Sequence, residues 1–221
     1  MKRTVIIIGA TGGIGKVLYG QYSYEANNSA GDVKVYSTAR NSMFVVDISK
    51  ESHCLHLADF FKNDPNIQII NCAGINHNAT IGKSDNDKWR DVIETNLIGA
   101  YNLLKAFTPL MKRQNYGRFM FLSSICAEGV AGASAYAASK AGLEGLIKSA
   151  AKELLKYNIT VNALRLGYFN TGLIRDVPKS KVEELSTAGE ICDPTGLFDV
   201  IEGVFKCADM TGSVINIDRG V

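Results

Sequence analysis

The chain has 221 residues, 46% of them hydrophobic and 21% charged, with 24 basic against 22 acidic side chains. That is enough chain for one domain with a real core, expected to span residues 1–221, and so even a charge balance excludes a field strong enough to recruit nucleic acid or an anionic membrane. The five cysteines are odd in number, dispersed and never arranged as CxxC, which suits a reducing compartment and predicts a cytoplasmic protein without a disulfide framework.

The first segment, "MKRTVIIIGATGG", places basic residues before an apolar run. The run is too short for the core of a signal peptide and meets glycines instead of a cleavage site, so a buried strand over residues 4–8 explains it. Gly9, Gly13 and Gly15 then separate that strand from a helix over 13–24. Glycines at such a turn let the backbone approach a pyrophosphate, whose charge the helix N-terminus meets. The spacing G-x-x-x-G-x-G differs from G-x-G-x-x-G, and Lys16 followed by Val17 rules out a P-loop. A second strand is predicted over 33–38. Its end reads "VYSTARNS": there is no acid to bind a ribose hydroxyl, and Arg40 stands where a 2′-phosphate would be met, which favours NADP, with NAD as the alternative.

A short third strand over 44–46 precedes a helix over 50–62. His53, Cys54 and His56 lie close together there, but no second ligand pair accompanies them and no metal is expected. Further strands are predicted over 67–71, 118–122, 160–164 and 213–217, with helices over 87–114, 135–157 and 195–207. Segment 172–194 is polar and weakly periodic, and reads either as a flap over a ligand or as an ordinary surface connection. Apolar strands alternating with helices imply an α/β fold: a doubly wound, Rossmann-like parallel sheet of about seven strands with helices on both faces. The crossover helix between strands two and three is missing, because "ARNSMF" is shorter than the dozen or so residues that a parallel connection needs.

The stretch "SAYAASKAG" puts Tyr136 and Lys140 four residues apart, one above the other on a helix face. A phenol has a reference pKa of roughly 10. A neighbouring ammonium stabilises the phenolate, so the pair is suited to moving a proton near neutral pH.

In this order the motifs resemble the short-chain dehydrogenase/reductases of the single-domain type, and are similar to their 3-oxoacyl-(acyl carrier protein) reductase branch. "GATGGIG" looks like the family's glycine motif, which implies cofactor contacts for Gly9, Thr11, Gly13, Ile14 and Gly15. "VDIS" resembles the adenine-pocket motif with Asp47 and Ile48, and "NCAG" the fourth-strand motif with Asn71, Ala73 and Gly74. "RLGYFNTG" looks like the segment in which Gly167, Phe169 and Thr171 would contact the nicotinamide carboxamide and the diphosphate. "ETNLIGAYNL" supplies Asn96, "FLSSICAEG" the serine, and "YAASK" Tyr136 and Lys140, which also count as cofactor contacts. Counting forward from Asn96 picks Ser124; counting back from Tyr136 fits Ser123 equally. Ser124 is chosen, since neighbouring strand residues point in opposite directions and only one faces the cleft.

The resemblance implies hydride transfer between NADP(H) and a carbonyl or alcohol, with a small or carrier-bound substrate such as a 3-oxoacyl thioester. Tyr136 would protonate the alkoxide, Ser124 orient the oxygen, Lys140 lower the phenol's pKa and hold the ribose, and Asn96 anchor a relay water. It also implies a homodimer or homotetramer. Leu166 replaces a usual proline and is expected to loosen the nicotinamide segment, and Asp218-Arg219-Gly220 stands where Asp-Gly-Gly is common. Two readings compete: a catalytically silent NADP-binding scaffold or redox sensor, and a nucleotide-sugar epimerase, the latter disfavoured by the short chain and the glycine spacing.

Overall fold

Val5, Ile6, Ile7 and Ile8 are buried almost completely, as a continuous aliphatic run is when a strand is covered on both faces. In the computed structural model, which describes residues 2–38, 44–169 and 191–220, this run forms β1 (Arg3–Ile8). Five further strands join it in parallel: β2 (Val33–Thr38), β3 (Ile67–Asn71), β4 (Gly117–Ser124), β5 (Ile159–Leu166) and β6 (Val214–Ile217). Their order across the sheet is β2-β1-β3-β4-β5-β6. The helices are α1 (Gly13–Asn28), α2 (Glu51–Phe60), α3 (Asn86–Ile93), α4 (Gly99–Gln114), α5 (Ser134–Leu154) and α6 (Leu197–Lys206).

Alternation along the strands divides the core in two. Ile6 and Ile8 join Leu57 of α2, Phe107 of α4 and Ile147 of α5, whereas Val5 and Ile7 join Leu18 and Tyr22 of α1 and Ile201 of α6. Each such aliphatic side chain contributes about 1.5–3 kcal/mol through burial. The result is the doubly wound architecture expected, helices on both faces of a parallel sheet. From β1 the chain steps to β2 on one side, then returns through α2 to β3 on the other. That reversal opens a crevice at the C-terminal ends of β1 and β3, where open α/β sheets bind ligands.

One expected strand does not form among the described residues. Phe44 is a bend and Val45 takes part only in an isolated bridge, so the sheet has six strands and not about seven. The reason is the short connection already noted: no parallel crossover fits, and the chain runs straight into α2. Phe44 serves aromatic packing instead, 5.0 Å from Phe60 and 6.4 Å from Tyr36 between ring centroids, while Val45 is exposed and Val46 buried. The missing crossover helix therefore has nothing to cross to. The predicted long helix over 87–114 is also modified, by a π-turn at Glu94–Ile98 between α3 and α4.

At the opposite rim of the sheet, Arg3 Nη1 donates to Glu202 Oε1 (2.9 Å) and Nη2 to Glu25 Oε1 (2.6 Å), while Tyr22 Oη donates to Glu202 Oε1 (2.9 Å). This knot ties the start of β1 to α1 and α6. No described helix is long and apolar enough to cross a membrane.

Candidate active site

The turn after β1 is held tightly against the segment after β3. Gly9 has φ +78°, and a Cβ there would lie 2.7 Å from the Ala73 backbone nitrogen. A Cβ on Gly15 would collide with the Gly9 carbonyl oxygen, so α1 packs directly under the turn. α1 begins with no side-chain cap and no acid in its first turn, leaving its N–H groups and positive dipole end facing outward. Gly13, Ile14 and Gly15 form that first turn.

Beside it lies a cavity of about 450 Å³, lined by Gly9, Thr11, Asp47, Ile48, Ala73 and Gly74, all six expected from the sequence. Val46, Cys72, Ile75 and Thr95 line it as well and were not anticipated, although each adjoins a motif residue in sequence. Segment 46–49 keeps its place without strand pairing because side chains pin it. Ser49 donates to Asp47 Oδ1 from both N (3.1 Å) and Oγ (2.7 Å), Asp47 N donates to His53 Nδ1 (3.2 Å), and Asn102 Nδ2 donates to Ile48 O (2.9 Å). His53 thus positions the cavity wall, and burial pushes the Cys54 thiol up to about 12. Asn71 ends β3 and its Oδ1 accepts from Ala73 N (3.1 Å). Arg40, Thr171 and residues 172–190 of the polar segment lie outside the described residues.

The cavity wall continues to the catalytic candidates. A Cβ on Gly74 would lie 3.4 Å from Asn96 Oδ1 and 3.7 Å from Lys140 Nζ. Asn96, 2% exposed, sits in the π-turn, and such turns interrupt helices frequently at functional sites. Its amide pairs with one backbone unit: Oδ1 accepts from Ile75 N (2.9 Å) and Nδ2 donates to Ile75 O (2.9 Å). Nδ2 also donates to Ser139 Oγ (3.0 Å), which donates onward to Tyr136 O (2.8 Å). Ser139 is a buried link that sequence reasoning missed, though its place three residues after Tyr136 put it on that helical face.

The two serines at the end of β4 part company. Ser123 Oγ donates to Glu144 Oε1 (2.7 Å), behind the cleft, whereas the Ser124 hydroxyl lies close enough to Tyr136 to favour its phenolate, and Ser124 Oγ accepts from Cys126 N (3.2 Å). Lys140, buried on α5, donates from Nζ to Leu122 O (2.7 Å) and lies 5.3 Å from the centroid of the Tyr136 ring.

Burial dominates the acidity of both groups. It pushes the Tyr136 phenol up to about 12, reinforced by Cys126 and opposed by the Ser124 hydroxyl. It draws the Lys140 ammonium down to about 8, against the raising influence of Cys72 and Cys126. The expectation that Lys140 lowers the phenol's pKa is thus corrected for this arrangement. The ammonium is bonded to a carbonyl and stands over the ring face, and desolvation outweighs it.

Leu166 itself is held in the sheet. It pairs with Ile217 on one side and Ser124 on the other, and Gly167 N donates to Ile217 O (3.0 Å). A proline there would lack a ladder donor. Phe169 is buried in the core shared with α1 and α6, leaving its backbone for any cofactor contact. Asp218 Oδ1 accepts from Gly220 N (2.9 Å), closing the turn after β6.

A cradle that a single Cβ would fill, an uncapped helix start and a buried cation beyond the cavity together fit a dinucleotide. Comparison with known proteins agrees. A short chain dehydrogenase family profile matches residues 3–181. The chain is 30% identical over 239 residues to an acetoacetyl-CoA reductase of Rhizobium meliloti, covering 100% of this chain and 98% of that protein. It is 28% identical over 244 residues to the 3-oxoacyl-(acyl-carrier-protein) reductase FabG of Pseudomonas aeruginosa, covering 99% and 97%. An Agrobacterium tumefaciens crystal structure assigned as a gluconate dehydrogenase superposes with a TM-score of 0.84 at 21% identity, over 98% of this chain and 94% of that one. The chain belongs to the short-chain dehydrogenase family, and is an oxidoreductase that uses a nicotinamide cofactor.

Proposed function

We propose that this protein reduces a carbonyl group at the expense of NADPH, that the carbonyl belongs to a 3-oxoacyl thioester, and that residues 1–221 act as one domain. The observation that carries the reading is the meeting of Ser124 and Tyr136 beside Lys140, whose Nζ lies just beyond the Gly74 wall of the cavity. Two relatives named for 3-oxoacyl or acetoacetyl thioesters support the substrate class. The absence of an acid after β2, with Arg40 in its place, supports NADP.

The reduced nicotinamide supplies the hydride. Tyr136, neutral at pH 7, gives its proton to the oxygen of the reduced carbonyl, and Ser124 donates a hydrogen bond to the same oxygen. Lys140 is charged at pH 7 and would hold the nicotinamide ribose. Asn96 holds the turn from which a water can return a proton through Lys140. Each group is in the protonation state that reduction requires.

The pH dependence follows. With Lys140 at about 8 and Tyr136 at about 12, the ammonium is the first to lose its proton as pH rises. kcat/KM for reduction is expected to be flat near neutrality and to fall through about 8. A Cys126→Ser variant that keeps this limb assigns it to the ammonium; a flat profile to pH 10 contradicts the assignment. Ser124→Ala is expected to lower kcat about 10²–10³-fold, as loss of one donor to a developing oxyanion does. Ser123→Ala is expected to spare the chemistry far more, a contrast read in parallel kinetic assays of the two variants.

The reading is tested by following NADPH and NADH consumption over a panel of 3-oxoacyl thioesters, ketosteroids, sugars and simple aldehydes. Turnover of thioesters with NADPH supports it; preference for another class or for NADH revises the substrate or the cofactor. A protein that binds neither nucleotide ends it. A homodimer or homotetramer in a reducing cytoplasm belongs to the same reading, and light scattering tests the assembly.

A further inference from the structure

Ser124 and Tyr136 must converge on one oxygen, yet they stand on different elements. Ser124 ends β4 and Tyr136 lies in the first turns of α5. Between them run a 3-10 turn, Ile125–Glu128, and a loop whose Gly129 and Gly132 both have positive φ. Such a connection does not by itself fix a distance to a fraction of an ångström.

Behind the site, one guanidinium joins the parts. Arg165 of β5 is the register partner of Ser123. Its Nε donates to Glu144 Oε1 (3.0 Å) and its Nη2 to Glu144 Oε2 (2.6 Å), a fork on the carboxylate that Ser123 Oγ also reaches at 2.7 Å. Its Nη1 donates to Glu128 Oε1 (2.6 Å), at the end of the turn that Ser124 begins. Glu144 lies four residues after Lys140 and eight after Tyr136, on the helical face that carries both. Ser123 points to Glu144, so its neighbour Ser124 leaves the strand on the opposite side.

We infer that Arg165 is a positioning residue for the reduction proposed above, on which this inference rests: by holding Glu144 of α5 and Glu128 of the turn at once, it sets the approach of Ser124 to Tyr136. The Glu144 side chain is 8% exposed and that of Arg165 20%, so the fork is shielded from water. Burial disfavours the Glu144 carboxylate, but the hydrogen bonds from Arg165 and Ser123 outweigh it and keep the group below its ordinary pKa. Stability alone does not call for such a pair, because apolar side chains of similar volume replace a buried ion pair at no loss or with a gain. What apolar side chains cannot supply is direction. The fork imposes it, as planar bidentate recognition does.

The test replaces the whole buried set: Ser123→Ala, Glu144→Leu and Arg165→Met in one variant, assayed as the full chain. The melting temperature and the NADPH dissociation constant are expected to hold, while kcat falls about 10–100-fold, the scale on which misplacement by an ångström acts. Hydrogen exchange at the Cys126 amide, which donates to Ser124 Oγ, is expected to quicken with it. Wild-type kcat with an equally protected Cys126 amide overturns the inference. Should the triple variant not fold, Arg165→Lys keeps the charge but cannot fork across two carboxylates, and the same drop in kcat is expected of it; a Lys variant at full rate overturns the inference. A wild-type protein that reduces nothing on the panel sinks the proposed function instead, and exchange at Cys126 then decides for or against the clamp unaided.

Discussion

Tyr136→Phe is expected to lower kcat for carbonyl reduction by about 10²–10⁴-fold, the range of a lost general acid, and to leave NADPH affinity nearly unchanged. The substitution removes one oxygen from a ring that burial already holds, so the packing of α5 survives. What disappears is the proton donor, the hydroxyl that Ser124 faces. Lys140 does not fill the role: its Nζ donates to Leu122 O and stands over the Tyr136 ring, 5.3 Å from the centroid. Steady-state kinetics with a 3-oxoacyl-CoA, paired with fluorescence titration of NADPH, measure both quantities. A Phe variant at wild-type kcat would place the acid elsewhere.

Gly9→Val is expected to destabilise the fold and abolish dinucleotide binding together. The left-handed backbone at Gly9 costs an L-residue about 1–2 kcal/mol, and overpacking adds about 1–3 kcal/mol. The obstacle is the Ala73 backbone, which cannot rotate aside. The sum is a large share of the roughly 5–15 kcal/mol that stabilises a domain. At about 2–4 °C per kcal/mol for this chain length, the melting temperature should fall by roughly 5–20 °C. Gly20→Ala is the control. Gly20 lies in α1 with open space around it and an ordinary φ, so alanine there should stabilise by up to about 1 kcal/mol. Thermal melts of the two variants, with and without NADPH, test the contrast.

The parts of the site that were legible in the sequence are local ones. The glycine turn, "NCAG" and "YAASK" each carry their geometry in a few consecutive residues, and the parallel order of strands and helices locates their meeting point. Three features were not legible, for separate reasons. The triplet 44–46 has the composition of a strand, but Phe44 packs on Phe60 and Tyr36, Val45 is exposed and Val46 lines the cavity, a division that only the tertiary structure supplies. The acidity of Tyr136 is set first by burial, which the Tyr-to-Lys spacing does not reveal. The Arg165, Glu144 and Ser123 set depends on β4–β5 register and on the rotation of α5 over the sheet, so its members look in sequence like unrelated polar residues.

The knot of Arg3, Glu25, Glu202 and Tyr22 gathers at the end of the sheet remote from the cavity. Resilience to heat and turnover thereby become separable traits in this molecule. Substitutions that tighten or slacken the remote end should move the melting point with little effect on kinetics, so an engineer can harden the scaffold there without retuning the chemistry.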